Sequence, residues 1–532
     1  MSEAGPLHNE MVTLKIDGRA LTVPQGLNLI EAAKTVGIEI PHFCYHPHLS
    51  VAGNCRICQV KVKGSPKLEI ACNTKVREGM EVFTHLTSKE VAEAQAAVLE
   101  FILINHPLDC TVCDESGRCK LQDYHYKYNA RDSRFLENKV RKVKAKPIGP
   151  YVILDGERCI ACTRCIRFCD EITKTGELGL VGRGDRVEIS LSEGRRLDNP
   201  LSGTVADLCP VGALTHRPWR FNTRIWFAKE AEAVCPGCST GCNCRVAVRD
   251  GEIVLVRARL NPAVNKEWMC DEGRYGFKRF LPKPRLVRPL IDGSFAEWTV
   301  AAARFKQVLQ GELLVFVAPD LLLEEYALLK EFLSKLGQKY SVVLSYRRRT
   351  LNALQALLIS PDYAADFRAA EFAGLVAGDL EASYNETLQR VREGKADGVL
   401  IFGQRALLEE DIDDHVLQGL GRASRTAAVL SSAESKLSSV LGVVLPGQSI
   451  LEKAGLLING SGRLQYTSRV VEPPWGTKPE WWIINALAAA FGIKLGVSGD
   501  ESQLTEHYLK NEPRLAGLTV SLLSKGGVAL KF

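Results

Sequence analysis

No cysteine follows Cys270 in this chain of 532 residues, although 17 stand at or before it. A thiolate-held metal or a disulfide is thereby excluded from roughly the C-terminal half. Long apolar runs are missing too: none reaches the roughly 18–20 residues that a bilayer-crossing helix needs, so membrane contact is expected only through a partner. The opening residues, MSEAGPLHNEMVTLKIDG, lack the charged start and apolar core of a secretory signal. Neither G-x-G-x-x-G nor G-x4-G-K-[ST] occurs, which leaves no visible dinucleotide or nucleotide-phosphate site. The formal net charge of +6 is small for this length and gives no argument for nucleic acid.

What is present is a globular composition, 46% hydrophobic and 24% charged, with length for about three to five domains. The cysteines are odd in number and fall into C-x2-C groups. A secreted disulfide framework carries an even count, so this pattern reads as reduced cytosolic thiols binding metal.

Residues 11–24, MVTLKIDGRALTVP, alternate apolar and polar around Asp17-Gly18 and predict a hairpin. LNLIEAAKTVG predicts a short helix closed by Gly37, and RICQVKVKG a further strand, completing a small α+β unit by about residue 85. EVAEAQAAVLEFILI, residues 90–104, is an amphipathic helix. The basic stretch 139–150, KVRKVKAKPIGP, reads as a solvated connector rather than a docking patch, and LPKPRLVRPL at 281–290 as a domain boundary. Beyond it, ELLVFVAPDL, DGVLIFGQRALL and RTAAVLSS are apolar runs separated by helical stretches such as LEEYALLKEFLSKLG, which predicts a parallel α/β sheet. NGSGR at 459–463 reads as a turn.

Four ligand groups carry the chemistry. Cys44, Cys55, Cys58 and Cys72 are spaced C-x10-C-x2-C-x13-C, and their long irregular loop suits a [2Fe–2S] core better than a compact zinc ion. Nearby His42, His46 and His48 read as surface residues or as supports of that loop, because four thiols already complete the set. HPLDCTVCDESGRC offers His106, Cys110, Cys113 and Cys119; on spacing alone the fourth ligand is His106 or a spare thiol, Cys169 or Cys244. RCIACTRCIRFC resembles a bacterial ferredoxin run, but the Cys-Pro pair of that motif stands at Cys209-Pro210. The economical [4Fe–4S] set is Cys159, Cys162, Cys165 and Cys209, with Cys169 left free. VCPGCSTGCNC and a distant cysteine supply Cys235, Cys238, Cys242 and Cys270, bridged by a hairpin turning at Asp250-Gly251; the alternative there is a zinc ribbon, and Cys244 is a packed thiol.

These four spacings, in this order over residues 11 to about 285, resemble the large iron–sulfur subunit of respiratory complex I, the NADH-quinone oxidoreductase of bacteria. The resemblance implies a [2Fe–2S] cluster in the first group, true histidine ligation by His106 in the second, Cys209 in the third, and an extra [4Fe–4S] cluster in the fourth: one [2Fe–2S] and three [4Fe–4S] in all. It implies an NADH- and FMN-binding partner, other hydrophilic-arm subunits, and a place on the cytoplasmic face of the inner membrane, with no catalytic residue in this chain. EKAGLLINGSGRLQ is similar to a late segment of the related molybdopterin oxidoreductases such as formate dehydrogenase. The stretch before it is far shorter than in a complete enzyme of that kind, which implies a shortened, molybdopterin-free remnant. The expected fold is therefore α+β, ferredoxin-like (β-grasp) and cluster-binding domains followed by an α/β parallel-sheet domain, with boundaries 1–88, 89–150, 151–228, 229–285 and 286–532. Competing readings are a catalytic formate dehydrogenase subunit, a subunit of a cytosolic hydrogenase or diaphorase complex, and a zinc-stapled binding module.

Overall fold

A computed structural model describes residues 10–129, 131–433, 435–495 and 500–531. Contacts divide the chain into two units, Met1–Phe227 and Ala228–Phe532. Residues 229–285 and 286–532, read from sequence as separate domains, thus fall together in the second unit.

The first unit opens with β1 (Met11–Ile16) and β2 (Arg19–Pro24), paired antiparallel from Met11↔Pro24 to Ile16↔Arg19. Asp17 and Gly18 turn between them at φ 50° and 78°, the positive pair that a two-residue hairpin turn demands. Along β1 the alternation sends Val12, Leu14 and Ile16 inward, each such burial contributing roughly 1.5–3 kcal/mol. Helix α1 (Leu29–Thr35) starts where Asn28 Oδ1 accepts from Glu31 N at 3.0 Å, and buries Leu29, Ile30, Ala32 and Ala33. With β3 (Gln59–Val62), β4 (Glu69–Ile70) and β5 (Glu81–Phe83) the sheet runs β2-β1-β5-β3-β4, parallel only between β1 and β5.

Helix α2 (Lys89–Leu103) begins at a Ser88 cap, and Gln95 Nε2 ties it to Gln59 O of β3 at 2.9 Å. Its last turn carries no basic residue; Lys139 reaches back instead, Nζ donating to Leu103 O at 2.9 Å and Ile104 O at 2.7 Å. Most of 139–150 is exposed, as a solvated connector should be, but lysines within it bond inside the unit. Lys142 donates to Val187 O, and Lys144 pairs with Asp109 at 2.5 Å and Glu157 at 2.7 Å. The cations bind within the unit because buried carboxylates and helix-end carbonyls there need donors. Helix α3 (Lys120–Tyr128) follows the second ligand group. Then come β6 (Lys146–Pro147), β7 (Val152–Leu154), α4 (Arg164–Arg167), the hairpin β8 (Leu178–Val181) and β9 (Glu188–Leu191), α5 (Thr204–Leu208) and β10 (Leu214–His216), with β10-β7-β6 forming a small sheet.

The second unit starts with an antiparallel meander, β11 (Lys229–Val234), β12 (Asn243–Arg249) and β13 (Glu252–Ala258), whose second turn is Asp250-Gly251 at φ 52° and 76°. Short helix α6 (Asp271–Tyr275) follows Cys270. A seven-stranded sheet then assembles from β14 (Leu290–Ile291), β15 (Ser294–Phe295), β16 (Leu313–Val317), β17 (Tyr340–Leu344), β18 (Gly398–Phe402), β19 (Arg425–Leu430) and β20 (Val443–Pro446), in the order β15-β14-β20-β19-β18-β16-β17. The five strands β16 to β20 are parallel, and β14 joins β20 antiparallel. Every residue of β16, β18 and β20 is buried, as strands covered on both faces require. Helices α7 (Trp298–Val308), α8 (Leu323–Leu336), α9 (Phe367–Phe372), α10 (Leu380–Arg392) and α11 (Asp414–Arg422) supply most of that cover. A second hairpin, β21 (Gly455–Ile458) and β22 (Arg463–Thr467), contains the expected 459–463 turn, and α12 (Glu480–Ala490) closes over the core.

Candidate metal centres

The first group sits in the irregular stretch between α1 and β3 and returns with Cys72 just after β4. Gly53 and Arg56 adopt positive φ, 62° and 58°, folding that stretch on itself. Cys44 N donates to Cys55 Sγ at 3.5 Å, and the four thiols act on one another chiefly in pairs, Cys44 with Cys55 and Cys58 with Cys72. Cys55 brings the Cys44 thiol down, and Cys44 with burial pushes Cys55 up. Two pairs of sulfurs match a core of two irons, each taking two thiolates. Contrary to a surface reading, His42 and His46 are buried, and burial with the nearby Lys120 charge holds His42 neutral at about 3.

His106 lies just past the end of α2, Cys110 opens a single tight turn, and Cys119 is the residue before α3. Asp109 anchors the turn through Lys144 at 2.5 Å and Arg158 at 3.0 Å. Nδ1 of His106 is buried with no hydrogen-bond partner, an orphaned lone pair of the kind a metal satisfies. Burial first, then the Arg158 charge, holds the ring neutral at about 4, which is its ligating form. Arg158 acts on Cys113 as well, and burial pushes Cys119 up to about 12. The backbone of Gly212 presses on this site: a Cβ there would stand 2.2 Å from Cys113 Sγ.

In the third group Ala161 and Thr163 take left-handed φ values of 51° and 61°; such residues cost roughly 1–3 kcal/mol each and cluster at functional sites. A small cavity here is lined by Thr163 and the sulfur-bearing residues Cys159, Cys162, Cys165 and Cys209, with Ile160 and Val211 among their apolar neighbours. Cys209 arrives from the end of α5. Cys169 has a different environment, its thiol pushed up by burial and by the carboxylates of Glu177 and Asp170. Burial and then Cys162 raise both Cys165 and Cys209.

A second small cavity, inside the second unit, is lined by Cys235, Cys238, Cys242 and Cys270 together with Arg279 and Arg349. The ends of β11 and β12 bring the first three together through Cys235 N donating to Cys242 O at 2.8 Å. Cys270 Sγ accepts from Gly273 N at 3.3 Å, and a Cβ on Gly273 would touch both Cys235 Sγ and Cys270 Sγ at 3.2 Å. Cys244 points elsewhere, bonded to Ala233 O at 3.5 Å.

Burial raises the thiols Cys113, Cys119, Cys165, Cys209, Cys235 and Cys270, and a thiol ligates as the thiolate, which a cationic core favours. Among the described residues no group of three or more His, Cys, Asp or Glu side chains is placed to hold a single metal ion, while the cysteines of the third and fourth groups each line one cavity. These residues fit iron–sulfur cores. In the first unit, Cys44, Cys55, Cys119, Cys159, Cys162 and Cys209 belong to one apolar cluster with Phe43, Leu99 and Tyr124.

Comparison with known families places one ligand group in each of four matched segments. Residues 9–86 match a 2Fe-2S iron-sulfur cluster binding domain, and 95–134 the NADH-ubiquinone oxidoreductase-G iron-sulfur binding region. Residues 149–215 match the NADH-quinone oxidoreductase subunit 3 ferredoxin-like domain, and 228–281 the molybdopterin oxidoreductase Fe4S4 domain. Molybdopterin oxidoreductase itself matches over 367–490. The mitochondrial NADH-ubiquinone oxidoreductase 78 kDa subunit of Candida albicans is 31% identical across 91% of this chain and 83% of its own length. The chain belongs to the family of the 75–78 kDa iron–sulfur subunit of NADH-quinone oxidoreductase. Another member, the NADH-ubiquinone oxidoreductase 75 kDa subunit of Reclinomonas americana, is 41% identical over 62% of this chain and 48% of its own. The corresponding NADH-quinone oxidoreductase subunit of Rickettsia conorii is 38% identical over 62% and 50%. The chain thus spans about half the length of several curated relatives it matches. A chain from the crystal structure of an NAD+-reducing [NiFe]-hydrogenase in the H2-reduced state is 30% identical over 40% of this chain, at TM-score 0.36; a superposition that loose carries no argument.

Sequence reasoning missed the residues that surround the sulfurs in this member of the 75–78 kDa family. Arg158, Arg164 and Arg167 are buried beside the second and third groups, and Gly212 and Gly273 leave room for sulfur. A signal existed: arginines interleave the cysteines of ERCIACTRCIRFC, where a merely solvated face has no need of them.

Proposed function

We propose that this chain is an iron–sulfur electron-transfer subunit of an NADH-quinone oxidoreductase, conducting between an NADH- and FMN-binding partner and the subunits nearer quinone on the cytoplasmic side of the membrane. The ligands are Cys44, Cys55, Cys58 and Cys72 for a [2Fe–2S] core; His106, Cys110, Cys113 and Cys119 for a [4Fe–4S] core; and Cys159, Cys162, Cys165 and Cys209, then Cys235, Cys238, Cys242 and Cys270, for two more. When bound, such cores accept and release single electrons. The observation that carries the reading is the apolar cluster against which cysteines of all three first groups pack.

Contacts support an order that spacing leaves open. Arg167 donates to both Cys44 O and Cys162 O, and Asn54 Nδ2 to Ala161 O at 3.1 Å, joining the first and third loops. Gly212, three residues after Cys209, packs on Cys113, joining the third and second. These contacts favour the third centre as the middle one. His106 contributes a neutral ligand where the other centres have thiolate, which raises the potential of its core.

The second unit serves as scaffold, a shortened molybdopterin-oxidoreductase-like domain without that cofactor. Sheets of this kind take ligands beyond the carboxyl ends of their strands. Here the crevice past β16, β18, β19 and β20 is lined by Asp320, Arg405 and Gln448, with Arg405 paired to Asp320 and Lys453 to Glu480. No helix among the described residues is long and apolar enough to cross a membrane. Anaerobic purification with metal and sulfide analysis tests the reading: about 14 iron atoms per chain are expected. Colourless protein holding zinc and no acid-labile sulfide would overturn it.

A further inference from the structure

We propose that Arg164 and Arg167, on the single turn of α4, form a buried cationic clamp that raises the reduction potentials of the first and third centres together. The inference rests on the electron-carrier reading above. Both side chains are buried, at 5% and 9% exposure, yet every bond they make goes to a neutral oxygen. Arg167 donates through Nη2 to Cys44 O at 2.5 Å and Cys162 O at 3.3 Å, through Nε to Thr163 Oγ1 at 3.3 Å, and through Nη1 to Ser50 O. Arg164 donates through Nη2 to Tyr45 O at 2.5 Å and through Nη1 to Leu208 O at 3.3 Å, while its Nε is buried without a hydrogen-bond partner. Among the described residues neither guanidinium has a carboxylate within 4.0 Å. The carboxylate one turn beyond Arg167, that of Glu171, is taken by Ser50 N at 2.8 Å and by the Ser50 hydroxyl.

Two guanidiniums without counter-ions in a low-dielectric interior are strongly unfavourable unless an anion stands near. The carbonyls they grip show where that anion belongs. Cys44 and Tyr45 carry the first ligand loop, Cys162 belongs to the third, and Leu208 immediately precedes Cys209. Thiolate-held iron–sulfur cores at these two sites are anionic, and more so when reduced, so a fixed cation favours the reduced form. Because one guanidinium spans the carbonyls of both loops, its charge moves the two potentials in the same direction and keeps neither centre as a trap.

The test is a redox titration followed by electron paramagnetic resonance on the intact assembly carrying Arg167→Gln, Arg167→Lys or Arg164→Gln. In Arg167→Gln the reduced-to-oxidised ratio at a fixed potential is expected to fall about tenfold at both centres, a downward shift of about 59 mV for a one-electron couple. The His106 centre should keep its potential. Arg167→Lys, which keeps the charge, should shift both centres less. Intact iron and sulfide with unmoved first and third potentials would overturn the clamp, as would equal shifts from lysine and glutamine, which would make geometry the cause. Should Arg167→Gln lose its iron, Arg164→Gln leaves the Cys44–Cys162 bridge in place, and an unmoved third centre there overturns the proposal. Wild-type protein without iron would defeat the electron-carrier reading itself, a result distinct from any of these.

Discussion

Alanine at Gly212 tests the second centre with a single methyl group. The backbone there has ordinary φ, so alanine meets no conformational penalty; what it meets is sulfur. Its Cβ would lie 2.2 Å from Cys113 Sγ, 3.3 Å from Glu115 Cβ and 3.8 Å from Arg158 Cδ. Non-bonded heavy atoms settle at roughly 3.5–4.0 Å, so the sulfur must retreat by about 1.3 Å or more. Ligand constellations tolerate displacements of about 0.5 Å. Overpacking of this kind costs about 1–3 kcal/mol, too little to unfold the chain but enough to move Cys113 off its iron. Gly212→Ala should therefore fold, join its assembly and carry about four irons fewer per chain, with the spectroscopic signal of the His106 centre gone. Gly179→Ala is the control, since a Cβ at that ordinary-φ position meets nothing within 4 Å; it should keep full iron. A Gly212→Ala protein with full iron and an unshifted second signal would refute the assignment of Cys113 in this geometry.

Replacing His106 with cysteine should retain the second cluster but lower its midpoint potential, because an anionic ligand favours oxidised iron; an unchanged midpoint would count against histidine ligation. Cys209→Ser should cost the third cluster, whereas Cys169→Ser, beside Glu177, should leave iron content unaltered. In the second unit Lys453 Nζ lies 2.7 Å from Glu325 and 2.6 Å from Glu480, all three side chains at most 3% exposed. Lys453→Met should destabilise that unit by about 3–5 kcal/mol at pH 8, measured by urea denaturation; a change below about 1 kcal/mol would show the triad to be dispensable. Burial keeps the Glu480 carboxyl up at about 7 even with the lysine present. The folded chain thus binds that proton more tightly than the unfolded chain, so this group's contribution falls as pH rises from 4.5 to about 7. Without the ammonium that loss should deepen and extend to higher pH, leaving Lys453→Met closest to wild type in mildly acidic buffer.

Much of this molecule was legible residue by residue. The Asp17-Gly18 and Asp250-Gly251 turns, α1, α2 and the apolar runs of β16, β18 and β19 stand where local pattern put them, because hairpin φ requirements and period-3.6 or all-apolar burial act over a few neighbours. The candidate ligand groups could be proposed for the same reason: sulfur is scarce and its useful spacings are short. Local pattern could not supply the partners that reach across long stretches of chain. Lys139 and Lys144 look like solvated charges until α2's open carbonyls and Asp109 are seen beside them. Arg167 is an ordinary basic residue until Cys44, 123 positions away, presents its carbonyl. Sequence determined which thiols and which imidazole are candidates to hold metal; tertiary packing decided which of them share a cavity and which cations lie against them. Those depend on low-dielectric contacts between segments that only folding brings together, and residue spacing carries no record of them.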